Sequence, residues 1–239
     1  MRVIKNHLTI GLIYKDVWRL IPASVGTLVS LGYQLVNLYG FLPAIIITVF
    51  MAGIIAALLS LNLYLLSFFH LNFQLCVLIA AVIMVMFLLV WLLVNLYMNR
   101  RIKLRISKLS YSSRAALNIL SLLLCNKIIP IKSAPRTQFW ELHFKPTIAG
   151  QVQSLEAEEL NAAIQADYKQ LAAKLAPDTV LFGCTPGCLE KRMQMAGIKS
   201  TQFQIEKTII PPEHAHVFGL KRSFFLHVLS FQPLLDEER

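Results

Sequence analysis

The chain has 239 residues, of which 56% are hydrophobic and 15% are charged, and its mean hydropathy is +0.59. Because soluble domains carry about 25% charged residues, this composition argues against an ordinary cytosolic enzyme, and four cysteines are too few for a disulfide scaffold. The net charge of +10 divides into +3 before residue 20, +5 over residues 100–108 and +2 in the remainder, so it flanks an apolar region and gives no support to a nucleic-acid partner.

Residues 1–22 predict an amphipathic basic segment at the N-terminus. Lys5, Lys15 and Arg19 can face water while apolar residues share the opposite side of a helix. Such a helix suits the surface of a lipid bilayer, which is therefore the first expected partner.

The 80 residues that precede Arg100 contain no Lys, Arg, Asp or Glu and predict a transmembrane region over residues 23–98. A spanning helix needs about 20 apolar residues, and the runs 44–69 and 75–98 are both long enough. The run 23–42 contains three glycines and several polar residues. It therefore predicts either a third pass or an interfacial or re-entrant segment.

The second apolar run carries a stripe of small residues at every fourth position. Residues spaced by four lie on one side of a helix, where small side chains let another helix approach closely. The stripe predicts either a homodimer seam or packing against the following span of the same chain. Its members are Thr48, Ala52, Ala56 and Ser60.

A cluster of basic residues without any acid follows the last predicted span. By the positive-inside rule, such a cluster keeps the segment after the span in the cytoplasm. We therefore expect a multi-pass protein of the inner membrane with a cytoplasmic C-terminal domain, while the N-terminal basic flank leaves the side of the N-terminus open. The cluster consists of Arg100, Arg101, Lys103, Arg105 and Lys108.

The remainder of the chain predicts a basic juxtamembrane connector over residues 99–134, which includes an apolar helix at 114–125, and a small α/β domain over residues 135–239. The expected fold class is thus an integral membrane protein with two to three α-helical transmembrane segments followed by a small mixed α/β soluble domain. The strands of that domain are predicted over residues 140–144, 179–182, 202–210 and 223–231, and its helices over residues 154–175 and 189–196.

The segment Gly183–Cys188 is predicted to form a loop between a strand and a helix, a place where α/β folds bind ligands. Its last four residues, Thr-Pro-Gly-Cys, resemble the active-site loop of peroxiredoxins, and that resemblance implies thiol redox chemistry. The pattern departs from that family at Leu181, where the family has a proline.

A zinc site is a second interpretation of the same loop. Cys184 and Cys188 combine with His214 and His216 into two thiolates and two imidazoles, which is a known zinc-binding set. A third interpretation treats Cys184 as a small buried hydrophobic residue in an inert turn, with both histidines exposed.

The sequence contains no Walker loop, nucleophile elbow, zinc-protease motif or dinucleotide fingerprint. We therefore expect a non-enzymatic interaction or regulatory module, without a cofactor, whose partner is another membrane or cytoplasmic protein. Such an architecture would suit an accessory, immunity or exclusion protein of a membrane machine. The alternative is a membrane-anchored thiol-redox or zinc-binding module centred on Cys184 and Cys188.

Overall fold

The structure is a computed structural model. Residues 1–21 of the predicted N-terminal segment, the predicted helix at 189–196 and the residues Cys188, His214 and His216 lie outside the residues that it describes. The described residues are 22–32, 34–36, 39–66, 72–131, 137–145, 157–176, 178–186, 202–210 and 223–231.

Two long apolar helices, α1 (Phe41–Leu66) and α2 (Phe73–Ile102), could be membrane spans. Only 11% and 6% of the residues in their most apolar stretches are buried by the rest of the protein, so most of their apolar side chains need another apolar environment. The rings of Tyr64 and Phe73 meet edge to face at 5.9 Å where the two helices are joined. α2 continues four residues beyond the predicted span.

A five-stranded mixed sheet follows the two helices. Its strands are β1 (Ser107–Ser112), β2 (Gln138–Phe144), β3 (Thr179–Pro186), β4 (Gln202–Lys207) and β5 (Phe224–Phe231), and two more helices are α3 (Arg114–Cys125) and α4 (Ala157–Lys174). The strand order is β1-β2-β3-β5-β4, and every neighbouring pair is antiparallel except β2 and β3. The helix α4 connects the parallel pair, as a crossover in an α/β unit requires.

The sheet begins within residues 99–134, so the prediction that these residues form only a connector is wrong. β1 pairs along its whole length with β2, and α3 follows directly after Ser113, whose side chain accepts a hydrogen bond from the Ala116 N–H at the start of that helix. The strand was missed because Ser-Lys-Leu-Ser-Tyr-Ser has only two large apolar side chains, Leu109 and Tyr111.

Helices cover both faces of the sheet. On one face, Leu117 of α3 belongs to a buried cluster with Phe182 of β3. On the other face, Leu171 of α4 packs in a second cluster with Trp140 of β2, and the end of α2 joins it. Burying a large apolar side chain stabilises the folded domain by roughly 1.5–3 kcal/mol.

The prediction that one face of β2 lies in solvent is wrong, because Glu141 on that face is only 5% exposed.

Residues 22–32 and 34–36 form a helix, called the leading helix here, that packs on the sheet. A Cβ atom on Gly26 would lie 1.9 Å from the carbonyl oxygen of Tyr111. The Thr27 and Ser113 hydroxyls are 2.6 Å apart, and Ser30 donates to the carboxylate of Glu141. The small and polar residues that weaken residues 23–42 as a span thus form a contact surface.

Replacing Gly26 by Ala is expected to lower the thermal stability of the detergent-solubilised protein, because the new methyl group overlaps the Tyr111 carbonyl. Overpacking of this kind costs about 1–3 kcal/mol. Gly53→Ala is the matched control, since a Cβ there meets no atom within 4 Å and alanine favours a helix by about 1 kcal/mol over glycine. Equal melting temperatures for the two variants would contradict the contact.

Candidate functional site

The most distinctive site is the junction between α2 and the edge strand β1. Asn99 accepts a hydrogen bond from the N–H of Leu109 at 2.8 Å and donates one to its carbonyl at 2.7 Å. Asn95 accepts from the N–H of Tyr111 at 2.6 Å, and the indole of Trp91 donates to the Tyr111 carbonyl at 3.0 Å. Three side chains of α2 thus form the hydrogen bonds with the backbone of β1 that a neighbouring strand would otherwise form.

The spacing of these three residues explains the arrangement. Trp91, Asn95 and Asn99 follow one another at intervals of four, so they lie on one stripe of the helix. The two asparagine amides also donate to the carbonyls four residues earlier, at 2.9 and 2.8 Å, which fixes their orientation. A buried strand edge would otherwise leave backbone groups without partners, at a cost of about 1–3 kcal/mol each.

The helix α4 holds the chain immediately after α2. The buried carboxylate of Asp167 accepts hydrogen bonds from three successive backbone N–H groups, those of Arg105, Ile106 and Ser107. Two turns later, Lys174 donates to the last carbonyls of α2, at 3.1 Å for Arg101 and 3.4 Å for Ile102. The exit of the chain from α2 is thereby fixed by charged hydrogen bonds, which are stronger than neutral ones.

A buried polar cluster lies beside the junction, between the leading helix and the sheet. The carboxylate of Glu141 accepts from Ser30 and lies 3.3 Å from Nε2 of His143. His143 is the cross-strand partner of Lys108 on β1. Ser30 and Glu141 are 111 residues apart in the chain, so no local pattern could have revealed this contact.

A cavity of about 150 Å³ lies against this cluster. Lys108, Ser110 and His143 line it from the sheet, and Leu92 and Leu96 line it from α2. Trp91, Asn95 and Asn99 of α2, which bond to the backbone of β1, also line the cavity, as do Val29 and Leu109. The cavity therefore combines polar and apolar lining, and it lies where the apolar surface of α2 meets the sheet.

The predicted basic cluster is spread over the last turn of α2, the segment that follows it and the start of β1. Arg100 and Arg101 lie in the last turn of α2, where their positive charges interact favourably with the negative end of the helix dipole. Lys103 ends the helix in the left-handed conformation, with φ of 56°. Arg105 is exposed, whereas Lys108 is partly buried beside the cavity.

Cys184 does not lie in a loop, contrary to expectation. β3 continues through Pro186, which pairs with Phe224 of β5, so Cys184 is inside the strand and buried in the cluster beneath α3. Three of the four predicted zinc ligands, Cys188, His214 and His216, lie outside the described residues, so the zinc set stays a prediction. Among the described residues, no group of three or more His, Cys, Asp or Glu side chains could hold a metal ion.

Cys125, at the end of α3, is also buried. Burial raises the pKa of its thiol above the ordinary value, the carboxylate of Glu206 raises it further, and Lys127 opposes both effects. A raised pKa keeps this thiol protonated at neutral pH, and a protonated thiol is a poor nucleophile.

The predicted stripe of α1 faces the leading helix at its first two members. The Thr48 hydroxyl lies 3.9 Å from the position of a Cβ on Gly32, and Thr48 and Ala52 line an apolar cavity of about 330 Å³ beside the leading helix. Ala56 is partly exposed, and Ser60 is buried and donates to the Ala56 carbonyl.

Comparisons of this chain with models of known protein families, with curated proteins and with solved structures found no match.

Proposed function

We propose that this protein crosses the inner membrane twice, through α1 and α2, and holds its α/β domain at the cytoplasmic face as an interaction or regulatory module without enzymatic activity. The observation that carries the proposal is the pairing of α2 side chains with the backbone of β1. A domain that only needs an anchor can hang from a flexible linker. A domain whose edge strand is bonded to the spanning helix presents one fixed surface at one height above the membrane.

Two passes are supported by the contacts of the leading helix. Gly26 and Ser30 reach the sheet at β1 and β2, so this segment packs on the soluble domain and leaves α1 and α2 as the spans. The cytoplasmic side is supported by Arg100 and Arg101 at the end of α2, since basic residues next to a span are retained in the cytoplasm.

Photo-crosslinking in intact cells tests both parts of the proposal. A photoreactive residue at Ala172, exposed on α4, is expected to crosslink the full chain to a specific cytoplasmic protein, or to the cytoplasmic part of a membrane protein. The same probe at Leu89, exposed on the apolar part of α2, is the control and is expected to give lipid adducts. Crosslinks from Ala172 to periplasmic proteins, or no protein adduct from exposed positions of the domain, would contradict the proposal.

A further inference from the structure

The cavity at the junction combines a cation with a surface that continues onto the apolar face of α2. Lys108 and His143 face each other across β1 and β2, and both line the cavity. Directly opposed residues on neighbouring strands have Cβ atoms about 4.5–5.5 Å apart, so their side chains converge on the same space.

The charges around the cavity are not balanced. The carboxylate of Glu141 lies 3.3 Å from Nε2 of His143 and also accepts a hydrogen bond from Ser30, so it already has two partners. Within the described part of the chain, the ammonium group of Lys108 forms no ion pair. Among the described residues, the cavity thus offers one positive charge that no carboxylate pairs with.

The opposite wall has a different chemistry. From α2, the polar groups of Trp91, Asn95 and Asn99 are bonded to β1, whereas Leu92 and Leu96 are apolar and 40% and 52% exposed. Leu89 and Leu93, one turn away, are exposed as well. A ligand that matches both walls has an anionic group joined to an apolar chain.

We infer that this cavity binds the phosphate of an anionic phospholipid, with Lys108 as its counter-charge and an acyl chain along Leu92 and Leu96. The inference rests on the proposed function only in placing α2 in the bilayer. The position suits a headgroup, since the cavity lies at the end of the apolar part of α2 and one turn before Arg100 and Arg101, which attract anionic lipids.

Native mass spectrometry of the full detergent-solubilised chain, titrated with phosphatidylglycerol or phosphatidylcholine, tests this inference. We expect phosphatidylglycerol to bind preferentially and Lys108→Gln to weaken that binding about fivefold, which corresponds to about 1 kcal/mol for one basic residue at an anionic headgroup. Lys108→Arg is expected to restore binding, and Lys103→Gln, in the same basic cluster but away from the cavity, to leave it unchanged.

Three outcomes would overturn the lipid assignment. They are equal binding of the two lipids, equal loss in the Lys103→Gln and Lys108→Gln variants, and displacement of phosphatidylglycerol by millimolar inorganic phosphate, which would assign the site to free phosphate. A melting curve of each variant shows whether it is folded. Failure here leaves the crosslinking result at Ala172 unaffected, so the two proposals are tested separately.

Discussion

Replacing Asn95 and Asn99 together by Leu is expected to lower the free energy of unfolding of the sheet domain by about 2–4 kcal/mol. The substitution leaves both backbone groups of Leu109 and the N–H of Tyr111 without the partners that α2 supplies. Each unsatisfied buried group costs about 1–3 kcal/mol, and these groups are only partly buried, so the lower part of that range applies. In a domain of this size, the melting temperature should fall by roughly 10 °C or more.

Asn62→Leu is the control for this double variant. Asn62 lies on α1, is exposed, and within the described part of the chain donates to the carbonyl of Leu58 in its own helix. Surface substitutions of this kind change stability by about 0.5 kcal/mol or less. Thermal unfolding of the three proteins in the same detergent measures the difference. A double variant that melts together with the Asn62→Leu protein would show that the junction contributes nothing to stability.

Asp167→Asn is expected to destabilise the domain by about 3 kcal/mol, although it changes the side-chain volume very little. The carboxylate accepts from three backbone N–H groups, whereas an amide has one acceptor and turns its own donor towards those N–H groups. Hydrogen bonds to a charged group contribute about 1.5–3 kcal/mol, and at least one N–H loses its partner in the variant.

Asp178→Asn provides the comparison for Asp167→Asn, because Asp178 is exposed immediately before β3. The same chemical change there should alter the melting temperature by no more than a few degrees. Chemical denaturation of both variants gives the free energies directly. A loss at Asp167 no larger than that at Asp178 would contradict the role of this carboxylate in holding the chain after α2.

Much of the architecture could be predicted from local patterns. The apolar runs of α1 and α2 exceed the length of a span, and the strands β2 to β5 each carry several large apolar or β-branched residues. The bounds of the domain could not be predicted in this way. β1 looks like a polar linker because only two of its side chains, Leu109 and Tyr111, are large and apolar. It is a strand because Asn95 and Asn99 of α2 bond to one edge of it and the distant strand β2 pairs with the other.

The candidate site was harder to predict because its residues come from four elements. The alternation around Glu141 and His143 predicts a solvated outer face, which is wrong because the leading helix covers Glu141. The asparagines at 95 and 99 do give a local signal, since two amides four residues apart near the end of an apolar helix mark a polar stripe. That stripe could have indicated a contact with a strand edge.

Pulsed dipolar electron paramagnetic resonance on the full chain in lipid nanodiscs tests most directly whether α2 and the sheet form one rigid unit. Spin labels carried by unnatural amino acids at Leu78 of α2 and Ala172 of α4, both exposed, avoid the chain's own cysteines. The account predicts a single narrow distance distribution that broadens when Asn95 and Asn99 are both replaced by Leu. A broad distribution in the unsubstituted chain would show that the domain moves freely on its anchor, and would contradict the account.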